Sequence, residues 1–263
     1  MAGERWRQSV KNQVYRQRRN AGLPRLLSEG DSWFGYPIYR NMIDYIDDTE
    51  RYAIRRCEQS GDTLLGILNT GEFYPLIDSE RPRALLFDGG GNDLIDGNNG
   101  WPAKLFAAPL GPDLINVANW SAKLQELMDM YEKRLIPMVA GRLPILVHGY
   151  DFVIPSTVAV TYNWLPVTGP WFLPAMETAG ITAAADQRHI GETVIDAFND
   201  GLIAVAARVN AGLPRRVFYV SDLRGTLPPN DWANEMHPLG RGFKALSAKY
   251  LDVLEKQVLQ EWP

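Results

Sequence analysis

Cysteine occurs once in the 263 residues, at Cys57, and histidine three times, at His148, His189 and His237. A single thiol excludes an intramolecular disulfide and any site built from several thiolates. Three scattered histidines offer no spacing for a catalytic zinc. No apolar run approaches the roughly eighteen residues that a membrane span needs. Residues 1–20 are basic and polar and lack the apolar centre of a signal peptide. An excess of positive charge is also missing: 27 Lys and Arg stand against 31 Asp and Glu, a net −4. A nucleic-acid footprint needs clustered positive charge, so no such partner is expected. Neither a Walker-type loop nor a Gly-x-Gly-x-x-Gly turn opening a helix occurs, and no nucleotide cofactor is expected. These absences leave a cytoplasmic protein without cofactor or metal as the expectation.

What is present is apolar: 46% of the residues are hydrophobic, enough for one large domain over residues 1–263. Five continuous apolar stretches read as strands. They are Leu26-Leu27 running into Gly30, Tyr52 to Ile54, Ala84 to Phe87, Ile145 to Val147, and Val217 to Val220. Helical spacing lies between them, at Leu64–Leu68, on the Trp120, Leu124, Leu127, Met128, Tyr131, Leu135 face, from Glu192 to Asn210, and from Phe243 to Val258. Residues 5–20 fit a basic amphipathic helix packed on one side. Residues 94–118 and 222–242 read as long loops. Residues 153–190, rich in proline and aromatics, read as an irregular lid or pocket wall. Continuous apolar strands alternating with helices predict a five-stranded, mainly parallel sheet covered on both faces, a three-layer α/β/α domain.

In such sheets ligands gather at the carboxyl ends of the strands. Each expected strand runs into a stretch that stands out by its residues: Asp31-Ser32, the turn at Gly61, Gly91-Asn92, His148, and the segment with His237. That coincidence predicts one site. A serine hydroxyl becomes a nucleophile when an imidazole takes its proton. An Asn amide and backbone N–H groups can hold an oxyanion without adding charge. Pro238 keeps His237 out of helical geometry.

Taken in order, Gly30-Asp31-Ser32, Gly61, Gly90-Gly91-Asn92-Asp93 and His237 resemble the blocks of the SGNH (GDSL-type) hydrolase family, over about residues 25–245. The resemblance implies a flavodoxin-like sheet and a serine esterase or lipase-like activity on a small-molecule carboxylic ester, through an acyl-enzyme. It implies Ser32 as nucleophile, His237 as general base, and an oxyanion hole of the Ser32 and Gly61 N–H groups with the Asn92 side chain. The family has an aspartate three residues before the histidine, where this chain has Asn234. An amide oxygen can orient an imidazole but brings no charge to an imidazolium. Three arrangements stay open. Asp231 can supply the carboxylate, with Asn234 as the positional equivalent, and this is the favoured one; Glu235 can supply it; or a Ser–His dyad can be held by a carbonyl oxygen.

The same substitution supports a reading of another class, a weakly active or inactive SGNH-fold protein that binds a ligand. His148 is expected to be structural, His189 exposed, and Asp31 an acceptor of backbone hydrogen bonds in the nucleophile turn. Residues 88–97 also resemble one calcium-binding nonapeptide repeat, but a single copy builds no stacked array. Tyr162, Trp164, Trp171, Phe172 and Trp232 are expected to supply an apolar or sugar-stacking pocket.

Overall fold

Leu26 and Leu27, Leu85 to Phe87, and Ile145 to Val147 are each 1% exposed or less, the burial of strands covered on both faces. In the computed structural model, which describes residues 2–95, 100–139, 141–162 and 165–263, they form part of a five-stranded sheet. Its strands are β1 (Arg25–Glu29), β2 (Ala53–Arg56), β3 (Leu85–Phe87), β4 (Ile145–His148) and, after the hairpin β5 (Val160–Tyr162) and β6 (Leu165–Thr168), β7 (Phe218–Ser221). The order is β2-β1-β3-β4-β7, and every neighbouring pair is parallel. Helices cover both sides. Met42–Asp47 packs on Gly240–Val253, whereas Val117–Met130 packs on Leu64–Thr70 and Ala184–Asn210. The expected α/β/α sandwich is borne out, with a sheet that is wholly rather than mainly parallel.

Two segments expected to be irregular contain regular structure. The 94–118 segment includes the helix Trp101–Leu105, and the 153–190 segment holds the β5–β6 hairpin and the helix Leu173–Thr178. The long helix starts at Ala184, eight residues before the expected Glu192. Gly191 interrupts its apolar pattern for a packing reason: a Cβ there would lie 3.0 Å from the Val153 carbonyl oxygen.

The chain reverses its direction across the sheet between β1 and β3, since β2 lies on one side of β1 and the later strands on the other. Strand-end loops diverge at such a switch point and leave a crevice. Ser32 follows β1 and Asn92 follows β3, so both stand at its rim.

Candidate active site

Gly30 ends β1 because nothing larger fits: a Cβ there would lie 2.6 Å from that of Asp88, beyond the end of β3. Asp31 then caps the short helix Ser32–Gly35, its Oδ1 accepting from the Trp33 N–H at 2.9 Å. Ser32, the first residue of that helix, is 5% exposed.

Residues 232–238 fold back on themselves. Trp232 forms an antiparallel bridge with Pro238, and the Ala233 N–H donates to the His237 carbonyl at 2.8 Å. Within this turn Asn234 Oδ1 accepts from the backbone N–H groups of Met236 and His237, both at 3.0 Å, and faces His237 Nδ1 at 3.1 Å. An atom that takes two backbone N–H donors is the amide oxygen. Nδ1 therefore carries the proton, and Nε2 turns its lone pair to Ser32 Oγ, 2.8 Å away. Tyr36 lies flat on the imidazole, ring centroids 4.2 Å and planes 14° apart. Its hydroxyl neighbours the Asn234 side chain, whose amide nitrogen is the remaining donor. Burial lowers His237 to about 3, so the imidazole is neutral over the ordinary pH range.

The two carboxylates considered for His237 are elsewhere, which corrects the favoured expectation. Asp231 pairs with Arg241. Glu235 is fully buried and accepts from the Trp171, Phe172 and Leu173 N–H groups at 2.7, 2.8 and 2.6 Å. It thereby satisfies the open N-terminus of the helix Leu173–Thr178. The group facing Nδ1 is the amide of Asn234.

Asn92 Nδ2 donates to the Asp62 carbonyl at 2.8 Å, beside Gly61, which turns at φ +92°. A cavity of about 20 Å³ is lined by Ser32 and Asn92 and closed by Leu94, Val153, Val194 and Ile195. A larger one, about 540 Å³, is lined by Phe106, Thr168, Pro170, Trp171, Ala175 and Thr178. Trp171 belongs to this second wall and meets the His237 ring edge-on at 6.0 Å. Of the other aromatics expected at a pocket, Phe172 is fully buried and Trp232 packs near Trp33. Trp164 lies outside the described residues, and the Tyr162 side chain is not among those described.

A second buried polar group lies behind Ser32. The Tyr150 hydroxyl donates to Asp88 Oδ1 at 2.9 Å, lies 3.3 Å from Asp31 Oδ2, and accepts from the Gly91 N–H at 3.0 Å. His148 Nδ1 donates to the Gly149 carbonyl at 3.1 Å, while Nε2 stands 3.2 Å from Asp88 Oδ1 without hydrogen-bond geometry. Burial raises Asp31, and the charge of Asp88 raises it further; burial raises Asp88 as well. Burial lowers His148 to about 4. His148 is thus a packed structural residue, stacked on Trp33 at 5.4 Å, and His189 is exposed beside Asp113. Among the described residues no group of three or more ligating side chains could hold a metal. Asp93, within the repeat-like stretch, instead caps Leu64 N–H at 2.7 Å.

Sequence reasoning missed Tyr36, Tyr150 and Asp151. The Asp151 carboxylate accepts from Phe152, Gly225 and Leu227 N–H groups and so braces the loop that carries His237. Asp151 does have a signal, an acidic residue just past a strand end. Tyr36, four residues beyond Ser32, has none.

No family model matches the chain, and no curated protein matches it in sequence. Solved structures do match. A catalytic mutant of an acetylxylan esterase from Geobacillus stearothermophilus is 13% identical, with 88% of this chain and 94% of that one covered at a TM-score of 0.51. Another mutant of that protein, described as an acetyl-xylooligosaccharide esterase, is 15% identical over 91% and 95% at 0.50. A lipase/acylhydrolase from Enterococcus faecalis is 13% identical over 89% and 97%, at 0.46. At such identities the likeness speaks to fold, and the first two structures carry it. With the all-parallel sheet, its helices on both sides and the blocks in order at the strand ends, the chain has the fold of the SGNH hydrolases.

Proposed function

We propose that the protein is a serine ester hydrolase working through an acyl-enzyme. The observation that carries this reading is the chain of contacts from Ser32 Oγ to His237 Nε2 at 2.8 Å and from His237 Nδ1 to Asn234 Oδ1 at 3.1 Å. Ser32 Oγ attacks the ester carbonyl while Nε2 takes its proton. The Ser32 and Gly61 N–H groups, with the Asn92 amide nitrogen, hold the oxyanion. His237 returns the proton to the leaving alcohol, and water, activated by the same imidazole, releases the acid. The net change is the addition of one water across the ester C–O bond.

Asn234 serves as orienting residue without charge. In a serine-protease triad the Asp-to-Asn change costs about 10⁴ in turnover, because the amide favours the wrong tautomer. Here two backbone donors hold the amide oxygen toward Nδ1, which leaves the nitrogen turned away from it. The tautomer is secured, and what is lost is only the charge opposite the imidazolium. A fluorophosphonate probe tests the proposal: stoichiometric labelling that disappears in Ser32→Ala supports it. Folded protein that takes no label would instead make the chain a ligand binder.

A further inference from the structure

Two cavities near the site differ in volume by more than twentyfold: about 20 Å³ for the one that Ser32 and Asn92 line, and about 540 Å³ for the one that Trp171 lines. In ester hydrolysis the two sides of a serine–histidine pair receive different groups. The leaving oxygen takes its proton from the imidazole, so the alcohol departs on the histidine side. The acyl chain stays on the carbonyl carbon bonded to Ser32 Oγ. The large cavity lies on the histidine side, because Trp171 in its wall meets the His237 ring edge-on. The small one is lined by Ser32 itself and by Asn92.

We propose that this protein selects acetate esters of bulky alcohols: the small cavity takes the acyl methyl and excludes longer chains, and the large cavity takes the alcohol. The proposal rests on the reading of Ser32 as nucleophile. A space of about 10–15 Å³ on this measure holds one water-sized group, so about 20 Å³ accommodates a methyl and little more. Its far wall cannot easily yield. Val194 and Ile195 are 1% and 3% exposed and belong to the 27-residue helix Ala184–Asn210, whose inner face is packed into the core. Extra methylenes forced into such a wall displace packed core side chains and are disfavoured. The large cavity carries a different chemistry. Trp171 and Phe106 offer apolar ring surface, and Thr168 and Thr178 add hydroxyls, so it suits an alcohol with both a flat face and polar groups.

The experiment is a chain-length series on the whole protein: p-nitrophenyl acetate, butyrate and octanoate. We expect kcat/KM for acetate to exceed butyrate at least tenfold, the discrimination that pocket methylenes give, and octanoate to be slower still. Val194→Ala and Ile195→Ala, each a deletion at the closing wall, should narrow the acetate-to-butyrate ratio several-fold. Butyrate hydrolysed as fast as acetate by the unaltered protein overturns the acyl half. So does an unchanged ratio in both variants. For the alcohol half, the preference for 2-naphthyl acetate over methyl acetate should fall several-fold in Thr178→Trp, which fills the large cavity from its exposed rim; an unmoved preference overturns it. Failure of the underlying reading looks different: no ester of any length is hydrolysed and Ser32 takes no fluorophosphonate, and the specificity proposal falls with it.

Discussion

Two buried histidines touch the surroundings of Trp33, and they are placed in opposite electrostatic settings. His237, in front of Ser32, meets a hydroxyl and an amide, with a tyrosine stacked on its ring. His148, behind, stands against Asp88, which together with Asp31 forms a pair of carboxyls closed off from water. Burial depresses both imidazoles, to about 3 in front and about 4 behind. The difference is that the imidazole facing the serine hydroxyl has no carboxylate beside it, whereas the one that stands against a carboxylate faces no serine. The acidic groups stabilise the turn that carries Ser32, and the imidazole facing the serine is held by neutral donors and acceptors. Such neutral surroundings keep the His237 imidazole unprotonated to low pH, at the cost of weaker support for an imidazolium.

The comparison is tested most severely at the front. Ser32→Ala and His237→Ala should each lower turnover by about 10⁴ or more, with the double variant hardly worse, because the two act as a unit. His148→Gln in folded protein should cost less than tenfold; a loss matching that of His237→Ala would erase the distinction between the two sites. Next in size is Asn92→Ala, for which a fall of about 10²–10³ in kcat on p-nitrophenyl acetate is expected, as for the removal of one oxyanion donor.

A smaller and more diagnostic effect concerns charge. Asn234→Asp places a carboxylate against Nδ1, and an adjacent negative charge raises an imidazole's pKa. The protonated ring cannot take the serine proton, so the acid limb of kcat/KM should move to higher pH. The unaltered protein should keep most of its rate at pH 5, where the variant loses it. Asp231→Asn, its carboxylate bound to Arg241, should alter turnover less than twofold. Loss of activity there would restore Asp231 to the site.

The smallest effect on activity, and a clear one on stability, belongs to the rear. The buried Asp31 and Asp88 carboxyls are both raised above the usual value of 3.8 by burial. The unfolded chain releases those protons from about pH 4 upward while the folded one retains them, so stability falls as pH rises above that point. Asp88→Asn removes one of these groups yet still accepts from Tyr150. Denaturation curves from pH 5 to 8 should therefore slope less, by at most about 1.4 kcal/mol per pH unit for each proton involved. An unchanged slope would mean that the pair is ionised in the folded state.

Sheet and strand ends were legible in the sequence because fully covered parallel strands are uninterrupted apolar runs, as Leu85 to Phe87 are. Ser32, Asn92 and His237 were legible for a related reason: each directly follows, or lies in the loop after, such a run. The partner of His237 was not. Asp231 and Asn234 are three residues apart in one loop, and which of them faces the ring depends on the bridge between Trp232 and Pro238 and on Arg241 capturing the carboxylate. The helix Leu173–Thr178 was equally hidden, since its N-terminus is capped by Glu235, more than sixty residues away. A cap that distant leaves no local pattern of the kind a capping residue gives.

That distant cap makes the histidine loop a mechanical hub. Glu235 grips the backbone of the large cavity's wall through three hydrogen bonds, the Met236 carbonyl accepts from the Trp33 indole N–H at 3.1 Å, and His237 follows in sequence. Three successive residues thus bind the cavity wall, the segment after Ser32 and the serine hydroxyl. Enlarging the cavity by shifting the 171–173 backbone would drag the imidazole off its line to Ser32. Trimming side chains such as Phe106 would leave that line intact. Redesign of this pocket should therefore carve side chains and leave the wall's main chain where Glu235 holds it.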